Sequence, residues 1–189
     1  MIDERIRTLV EENPGQASFE EYKLVHEVVS ARAPCNLLVF GVGRDSALWM
    51  DTNAGGRTIF LEDVAKWAAY ARERVPGITV HDVRYRTLRI LWPLLRRFPG
   101  LLMMKDLPAG VKATEWDVIL VDAPRGSIWH RPGRMKSIYT ASVLARRNGT
   151  TDVLLHDCNR QVEDEAGRMF LGQDRMVTQV GTMRHYRVG

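Results

Sequence analysis

Residues 35–46 of the chain read CNLLVFGVGRDS. The stretch predicts a buried β-strand that runs directly into a Gly-x-Gly turn at Gly41 and Gly43. A second predicted strand, residues 58–61, ends in Glu62 about twenty residues later. Glycines at such a turn let the backbone approach a ligand closely, and a carboxylate at the next strand end can accept hydrogen bonds from both hydroxyls of a ribose. The pair therefore predicts a site for a cofactor that contains adenosine.

The residue at position 46 favours S-adenosylmethionine over a dinucleotide. The NAD fingerprint has its third glycine there, whereas this chain has Ser46, and S-adenosylmethionine has no pyrophosphate to accommodate. Each of the two features also has a purely structural interpretation. A lone Gly-x-Gly turn often only lets a helix pack close to a strand, and Glu62 can cap the next helix. The predicted cofactor-binding residues are Gly41, Gly43, Ser46, Glu62 and Asp122.

Predicted strands alternate with predicted helices along most of the chain. Such alternation implies right-handed crossovers and a mainly parallel sheet with helices on both faces, here with an antiparallel C-terminal hairpin. We therefore predict an α/β fold of the Rossmann-like, S-adenosylmethionine-dependent methyltransferase type. Strands are predicted before Gly41 and at 58–61, 79–85, 116–122, 151–156 and, as two strands, within 176–188; helices are predicted at 18–31, 46–51, 63–74, 134–147 and 160–171, with a broken helix and loop at 87–105.

Length and composition indicate one globular domain. The chain has 189 residues, of which 45% are hydrophobic and 26% are charged. We expect a single methyltransferase domain over 1–189, with an N-terminal helical segment at 1–33 and the cofactor-binding and catalytic core at 34–189. The two cysteines, Cys35 and Cys158, are expected to be reduced thiols, since two cysteines make no disulfide framework.

Charge and hydropathy argue against several kinds of partner. The net charge is +4, but the cations look scattered along the sequence without a basic block, so we expect no nucleic-acid partner. The apolar runs are too short to cross a bilayer, and the first five residues include acids and no apolar signal region. We therefore expect a cytoplasmic protein without membrane contact, and the sequence leaves its oligomeric state open.

Carboxylates follow two predicted buried strands. Asp122 ends the strand at 116–122, and Asp157 follows His156 at the end of the strand at 151–156. Acids in such places are costly unless they are solvated, paired or bound to metal, and the carboxyl ends of parallel strands meet at one edge of the sheet. We predict Asp122, His156 and Asp157 as catalytic, with Asp122 and Asp157 as ligands of a divalent metal ion. Without a metal, His156 or Asp122 would be the general base.

A long loop at residues 124–134 follows the first of these acids. It contains three arginines, one tryptophan and one histidine, and it is expected to lie over the same edge of the sheet. Arginine forks bind carboxylates through two hydrogen bonds, and tryptophan can stack on a sugar ring, although charged loops are usually only solvated. The predicted substrate-binding residues are Arg125, Trp129, Arg131, Arg134 and Arg160.

These segments resemble, in order, the plant glucuronoxylan 4-O-methyltransferase family, also described as the irregular-xylem or polysaccharide-biosynthesis domain family. The matching segments are residues 33–43, 45–46, 49, 58–62, 66–67, 85–87, 115–117, 121–124, 126, 132–135, 145–146, 156–157, 159–160 and 162–163. The resemblance implies S-adenosylmethionine as methyl donor, the 4-hydroxyl of glucuronic acid as acceptor, and divalent-metal assistance. The acceptor would be a uronate in a glycan or a smaller acidic molecule. Methylation of another small acidic molecule, or a non-catalytic cofactor-binding scaffold, are the alternatives.

Overall fold

The computed structural model describes residues 2–146 and 149–189. Its strands are β1 Asn36–Phe40, β2 Arg57–Glu62, β3 Thr79–Asp82, β4 Val118–Val121, β5 Thr151–Leu155, β6 Met176–Val180 and β7 Met183–Val188. Its α-helices are α1 Ile2–Glu12, α2 Phe19–Arg32, α3 Ser46–Thr52, α4 Ala65–Arg74, α5 Trp92–Leu95, α6 Ala109–Ala113, α7 Met135–Ala145 and α8 Gln161–Ala166. Short 3₁₀ turns cover Arg89–Leu91, Pro99–Leu102 and Gln173–Arg175, and a π-helical turn covers Gly167–Gly172.

The seven strands form one sheet in the order β3-β2-β1-β4-β5-β7-β6. Strands β1 to β5 are parallel, and β7 pairs antiparallel with both β5 and β6. The predicted fold class and its antiparallel C-terminal hairpin are confirmed. The strand order reverses at β1 and β4, which is where ligands bind in open sheets of this type.

Alternate residues of the central strands pack on opposite faces of the sheet. In β1, Leu38 and Phe40 join the core formed with α7, α8 and the segment 92–102. Leu37 and Val39 join a second core formed with α1, α2 and α3. Both faces of the central strands are therefore covered, as continuous apolar parallel strands require.

Several predicted boundaries shift for identifiable reasons. The predicted strand 79–85 ends at Asp82, because β2, the strand that it pairs with, ends at Glu62 opposite it. The predicted helix at 63–74 begins two residues late, because the amides of Asp63 and Val64 donate to the Glu62 carboxylate instead. The predicted helix at 160–171 changes to a π turn after Ala166.

Other predicted helices keep their places. Ser18 caps α2 in a full capping box with Glu21, as predicted. The predicted helix at 134–147 begins at Met135, and its predicted last residue, Arg147, lies outside the described residues. The predicted broken helix at 87–105 is confirmed as one short α-helix between two 3₁₀ turns.

A buried carboxylate connects three elements at the end of the sheet opposite the strand carboxyl ends. Asp152 in β5 accepts hydrogen bonds from His185 Nε2 at 2.7 Å, Arg32 Nε at 2.7 Å and Arg187 Nε at 3.3 Å. Burial alone would raise the pKa of Asp152, but the bonds from His185 and Arg32 outweigh it and lower the pKa to about 2.

We expect Asp152→Asn to lower the free energy of unfolding by about 2–4 kcal/mol at neutral pH. The folded-state pKa is depressed, so this stabilisation is complete above the ordinary value of 3.8 and is lost as pH falls toward about 2. Urea unfolding of both proteins at a series of pH values measures the difference, which should shrink in acid. Asp51→Asn, at an exposed carboxylate paired with Arg5, is the matched control. If Asp152→Asn were less stable than the wild type by the same amount at every pH, the low pKa of Asp152 would not be the source of the stabilisation.

Candidate active site

A cavity of about 710 Å³ opens at the carboxyl ends of the parallel strands. One wall carries Gly41 and Gly43 after β1 and Glu62 at the end of β2. The other carries Asp122 after β4 and the pair His156–Asp157 after β5. The loop between α1 and α2 closes a third side. Residues that are distant in the sequence thus share one site because the strands that precede them are parallel.

The glycine turn approaches its neighbours too closely for larger residues. Gly41 has a φ of +112°, and a Cβ there would lie 3.1 Å from Cβ of Ala123. A Cβ on Gly43 would lie 2.6 Å from Oδ1 of Asp45. Ser46 differs from its predicted place: it is fully buried, is not part of the cavity wall, and its hydroxyl accepts the Gly43 amide at 3.1 Å. Ser46 therefore shapes the turn instead of reaching the cavity.

Glu62 connects the glycine turn to the start of α4. Its Oε2 accepts the amide of Val42 at 2.8 Å, and its Oε1 accepts the amides of Asp63 at 3.0 Å and Val64 at 2.7 Å. Burial raises the pKa of Glu62, against the opposing effect of the amides of Val64 and Val42. Since each carboxylate oxygen has two lone pairs, Oε2 keeps one for a ligand. The two sequence interpretations of Glu62, ligand contact and helix start, are compatible with this geometry.

We expect Glu62→Ala to weaken binding of an adenosine-containing cofactor by about 1–3 kcal/mol, through loss of both a ribose acceptor and the tie to the glycine turn. Calorimetric titration with S-adenosylhomocysteine measures the change. Asp63→Ala, at the neighbouring carboxylate of the same wall, should change affinity much less. Equal affinities of wild type and Glu62→Ala would favour a purely structural role for Glu62.

The three predicted catalytic residues form one hydrogen-bonded group. His156 Nδ1 lies 2.8 Å from Oδ1 of Asp122. The guanidinium of Arg134 lies 3.0 Å from the same Oδ1 and 2.5 Å from Oδ2 of Asp157. Burial opposes ionisation of Asp122, but Arg134 and His156 lower its pKa overall. Burial likewise disfavours charge on His156, yet the hydrogen bond that His156 donates to Asp122 raises the pKa of His156 overall.

Arg134 is not at the place that the sequence predicted. It was expected to bind substrate from a surface loop, but it is 5% exposed at the start of α7. Its Nε donates to the carbonyl of Pro124 at 3.4 Å, and its amide donates to Glu163 at 3.1 Å. These bonds hold the guanidinium between Asp122 and Asp157, so its main task is to orient and neutralise the two carboxylates.

Two acidic residues in the site were missed by the sequence reasoning. Glu21 was seen only as part of the helix cap, yet its Oε1 lies 3.8 Å from Nε2 of His156 and accepts both the amide and the hydroxyl of Thr182. Asp45 lines the cavity, and burial together with Asp122 raises its pKa to about 6. Glu21 lies in helix α2, and Asp45 lies four residues beyond Gly41 in the loop after β1, so neither stands directly at a strand end.

The group has donor atoms that suit a divalent cation. One ligand atom each from Asp122, His156 and Asp157 lie within 4.8 Å of one another, and carboxylate oxygens with an imidazole nitrogen are common ligands of such ions. Arg134 already contacts both carboxylates. Its guanidinium and a metal ion would therefore compete for oxygens of the same two acids.

The predicted substrate-binding residues separate into two sets. Arg125, Arg134 and Arg160 are part of the cavity wall, and Arg160 also pairs with Asp157 at 2.7 Å. Trp129, 63% exposed, and Arg131 are outside it. The loop thus contributes one exposed arginine, Arg125, directly to the cavity.

The sheet order, the glycine turn and the acidic strand ends define an S-adenosylmethionine-dependent methyltransferase. A solved structure with the same fold is the TehB-like SAM-dependent methyltransferase from Corynebacterium glutamicum, at a TM-score of 0.56, 12% identity, 98% coverage of this chain and 94% of that one. At this identity the likeness concerns the fold alone.

The chain belongs to the IRX15/IRX15L/GXM family, whose sequence profile matches residues 20–92 and 95–186. It is 38% identical to glucuronoxylan 4-O-methyltransferase 2 of Arabidopsis thaliana, across all of this chain and 71% of the relative. It is 37% identical to arabinogalactan O-methyltransferase 2 of the same plant, across 92% of this chain and 67% of the relative. The chain thus spans about two thirds of these relatives, and they support an O-methyltransferase as the class of enzyme. The family resemblance of the sequence is confirmed.

Proposed function

We propose that this protein transfers the methyl group of S-adenosylmethionine to a hydroxyl of a glucuronate-type sugar, the 4-hydroxyl of a uronate in a glycan or a smaller acceptor. The observation that carries the proposal is the Asp122–His156 pair, which stands in the same cavity as the glycine turn and Glu62. The names of the relatives, a glucuronoxylan and an arabinogalactan methyltransferase, support a sugar hydroxyl as acceptor. We treat residues 1–189 as one methyltransferase domain.

His156 is the group assigned to remove the hydroxyl proton. With Nδ1–H donated to Asp122, the lone pair of Nε2 is free to accept it. The acceptor oxygen then bonds to the methyl carbon as the carbon–sulfur bond breaks, leaving S-adenosylhomocysteine, and the proton stays on Nε2. Asp122 at Nδ1 and Glu21, 3.8 Å from Nε2, both stabilise the resulting imidazolium.

A divalent ion fits this proposal as an additional source of positive charge. Asp122 and Asp157 would hold it, and when bound it would make the acceptor hydroxyl more acidic. Arg134 supplies positive charge to the same two carboxylates from the protein itself. Methyl-transfer rates measured before and after treatment with a chelator distinguish the metal ion from Arg134 as the source of positive charge. An unchanged rate would assign this role to Arg134. A rate that is lost and then restored only by added metal would assign it to the ion.

Recognition of the acceptor carboxylate is assigned to Arg125, supported by Arg160. Arg125 is exposed at the cavity wall, and it lies close enough to Asp63 to oppose the rise of the Asp63 pKa that burial causes. An arginine fork there can bind a uronate carboxylate through two hydrogen bonds. A neutral sugar has no group to use this contact, so the arginine would select acidic acceptors.

We expect Arg125→Met to raise KM for glucuronate oligosaccharides roughly ten- to a hundredfold with little change in kcat. Transfer of an isotopically labelled methyl group to these oligosaccharides, and to the same compounds with reduced carboxyl groups, measures the effect. Arg131→Met, on the same loop but outside the cavity wall, is the matched control.

The same transfer assay also distinguishes a uronate acceptor from another acceptor and from a non-catalytic scaffold. Equal transfer to acidic and carboxyl-reduced sugars would remove the uronate from the proposal, and transfer only to another small acid would replace the sugar. Cofactor binding without transfer to any acceptor would favour the scaffold interpretation. A cytoplasmic location remains our prediction, tested by fractionation of the cells that make the protein.

A further inference from the structure

Exposed apolar side chains are concentrated in one part of the surface. Eleven large hydrophobic residues are exposed among residues 2–146 and 149–189, and eight of these occur in the segments 88–101 and 128–129. Backbone bonds join the segments, from Arg89 to Arg131 at 2.8 Å and from Ile90 to Trp129 at 3.2 Å. We name this surface the apolar platform; it consists of Leu88, Ile90, Leu91, Leu94, Phe98, Leu101, Ile128 and Trp129.

Four platform residues recur at intervals of three or four residues, the spacing that is typical of one face of a helix. Leu91, Leu94, Phe98 and Leu101 follow each other at intervals of three, four and three residues. The adjacent Trp92 and the later Leu102 face the core and are at most 3% exposed. The segment therefore has buried residues that anchor it to the protein and a second set of apolar residues that are 42–63% exposed.

The two segments and the residues that flank them also contain cations and no acid. Residues 83–105 include six cations and no acid, and residues 123–134 include three arginines and no acid. The chain as a whole has an excess of only four cations. Arg86, Arg97 and Arg131 are exposed and lie within two residues of platform members in the sequence. Two other cations of these segments already have acidic partners: Arg96 pairs with Glu165 at 3.1 Å, and Arg134 is buried between Asp122 and Asp157.

Three kinds of binding partner can be compared for the platform: a second copy of the chain, a sugar and a lipid surface. A two-fold contact with a second copy would place the exposed arginines of the two platforms against each other, and the acid that the structure shows beside them, Glu165, is already paired with Arg96. Sugars stack on aromatic rings, whereas six of the eight platform residues are aliphatic. Aliphatic side chains surrounded by arginines fit the boundary between lipid headgroups and acyl chains, where anionic headgroups supply the opposite charge.

We propose that the apolar platform docks the protein onto the surface of an anionic lipid bilayer. The protein would lie on the bilayer, since no helix among its described residues is long and apolar enough to span one. This revises the sequence expectation of no membrane contact. Arg125, Gly126 and Ser127 line the cavity and lead directly into Ile128 and Trp129, so docking would hold the cavity opening beside the lipid surface.

Flotation of the purified full chain with vesicles tests the proposal without any assay of methyl transfer. Vesicles of phosphatidylcholine alone are compared with vesicles that also contain phosphatidylglycerol. The test variants are the triple change Leu94→Ser, Phe98→Ser, Leu101→Ser and the double change Arg86→Glu, Arg97→Glu. Val177→Ser with Arg175→Glu is the matched control, because it removes an exposed apolar residue of the edge strand β6 and a nearby arginine outside the platform. Circular dichroism confirms that each variant is folded.

We expect the wild type and the control to bind the anionic vesicles, and each platform variant to bind them more than about tenfold more weakly. Binding to neither vesicle, or equal binding of the wild type and the triple variant, would overturn the proposal. So would a wild-type dimer in sedimentation that the triple variant does not form, since the platform would then be an interface between copies. None of these results depends on whether the protein is a methyltransferase.

Discussion

Asp122→Asn should reduce methyl transfer about 10²–10⁴-fold while cofactor affinity changes only a few-fold. The carboxylate accepts His156 Nδ1 at 2.8 Å and Arg134 at 3.0 Å through the same oxygen. An amide at this place has no charge, so it neither stabilises an imidazolium nor holds the guanidinium as firmly. His156 then loses the partner that orients it and raises its pKa.

Single-turnover rates measure the effect of Asp122→Asn on methyl transfer, and calorimetric titration measures its effect on cofactor affinity. Asp51→Asn, at an exposed carboxylate that does not line the cavity, controls for the change of charge. A variant that keeps the wild-type rate would show that Asp122 is neither part of the proton transfer nor an essential metal ligand. A variant that loses cofactor binding would instead place Asp122 in the cofactor site, as the sequence also predicted.

Gly43→Val should abolish measurable binding of S-adenosylmethionine. The first atom of any side chain at Gly43 would lie 2.6 Å from Oδ1 of Asp45, so the turn that lines the cavity has to move. The branched side chain would also enter the space that the turn leaves open for the ligand. The prediction concerns binding more than folding, because the atom in conflict belongs to a side chain and not to the backbone.

The measurement is a titration of the folded variant with S-adenosylmethionine and S-adenosylhomocysteine, after thermal unfolding has shown that it is intact. Gly77→Val is a useful control, because nothing lies within 4 Å of a Cβ there, although its φ of +75° makes some loss of stability expected. Unchanged affinity of Gly43→Val would remove the glycine turn from the cofactor site.

The strands and the residues at their ends could be predicted because each depends on a short local pattern. Apolar runs that end in Gly41, Glu62, Asp122 and Asp157 identify parallel strands, and parallel strands bring their ends together. The same reasoning explains why the fold class was predicted correctly while the strand at 79–85 was too long: its end depends on where its neighbour β2 ends.

The remaining errors concern contacts between distant segments. Arg134 looks like a solvated loop arginine until the folded chain places Asp122 and Asp157 on either side of it. Glu21 is explained locally by its helix cap, so nothing in the sequence pointed to His156 or to Thr182. Such contacts depend on the path of the whole chain, and spacing within one segment carries no information about them.

The central claim is that the cavity at the strand ends binds S-adenosylmethionine and presents its methyl group to an acceptor hydroxyl that lies against the Asp122–His156 pair. Calorimetric titration of the purified protein with S-adenosylmethionine, and then with S-adenosylhomocysteine, tests it most directly. The account predicts that both compounds bind saturably at one site per chain, with micromolar dissociation constants, and compete with each other. It also predicts that Gly43→Val binds neither compound. An absence of binding by the folded wild-type protein would contradict it, and the glycine turn would then be a packing feature of the fold alone.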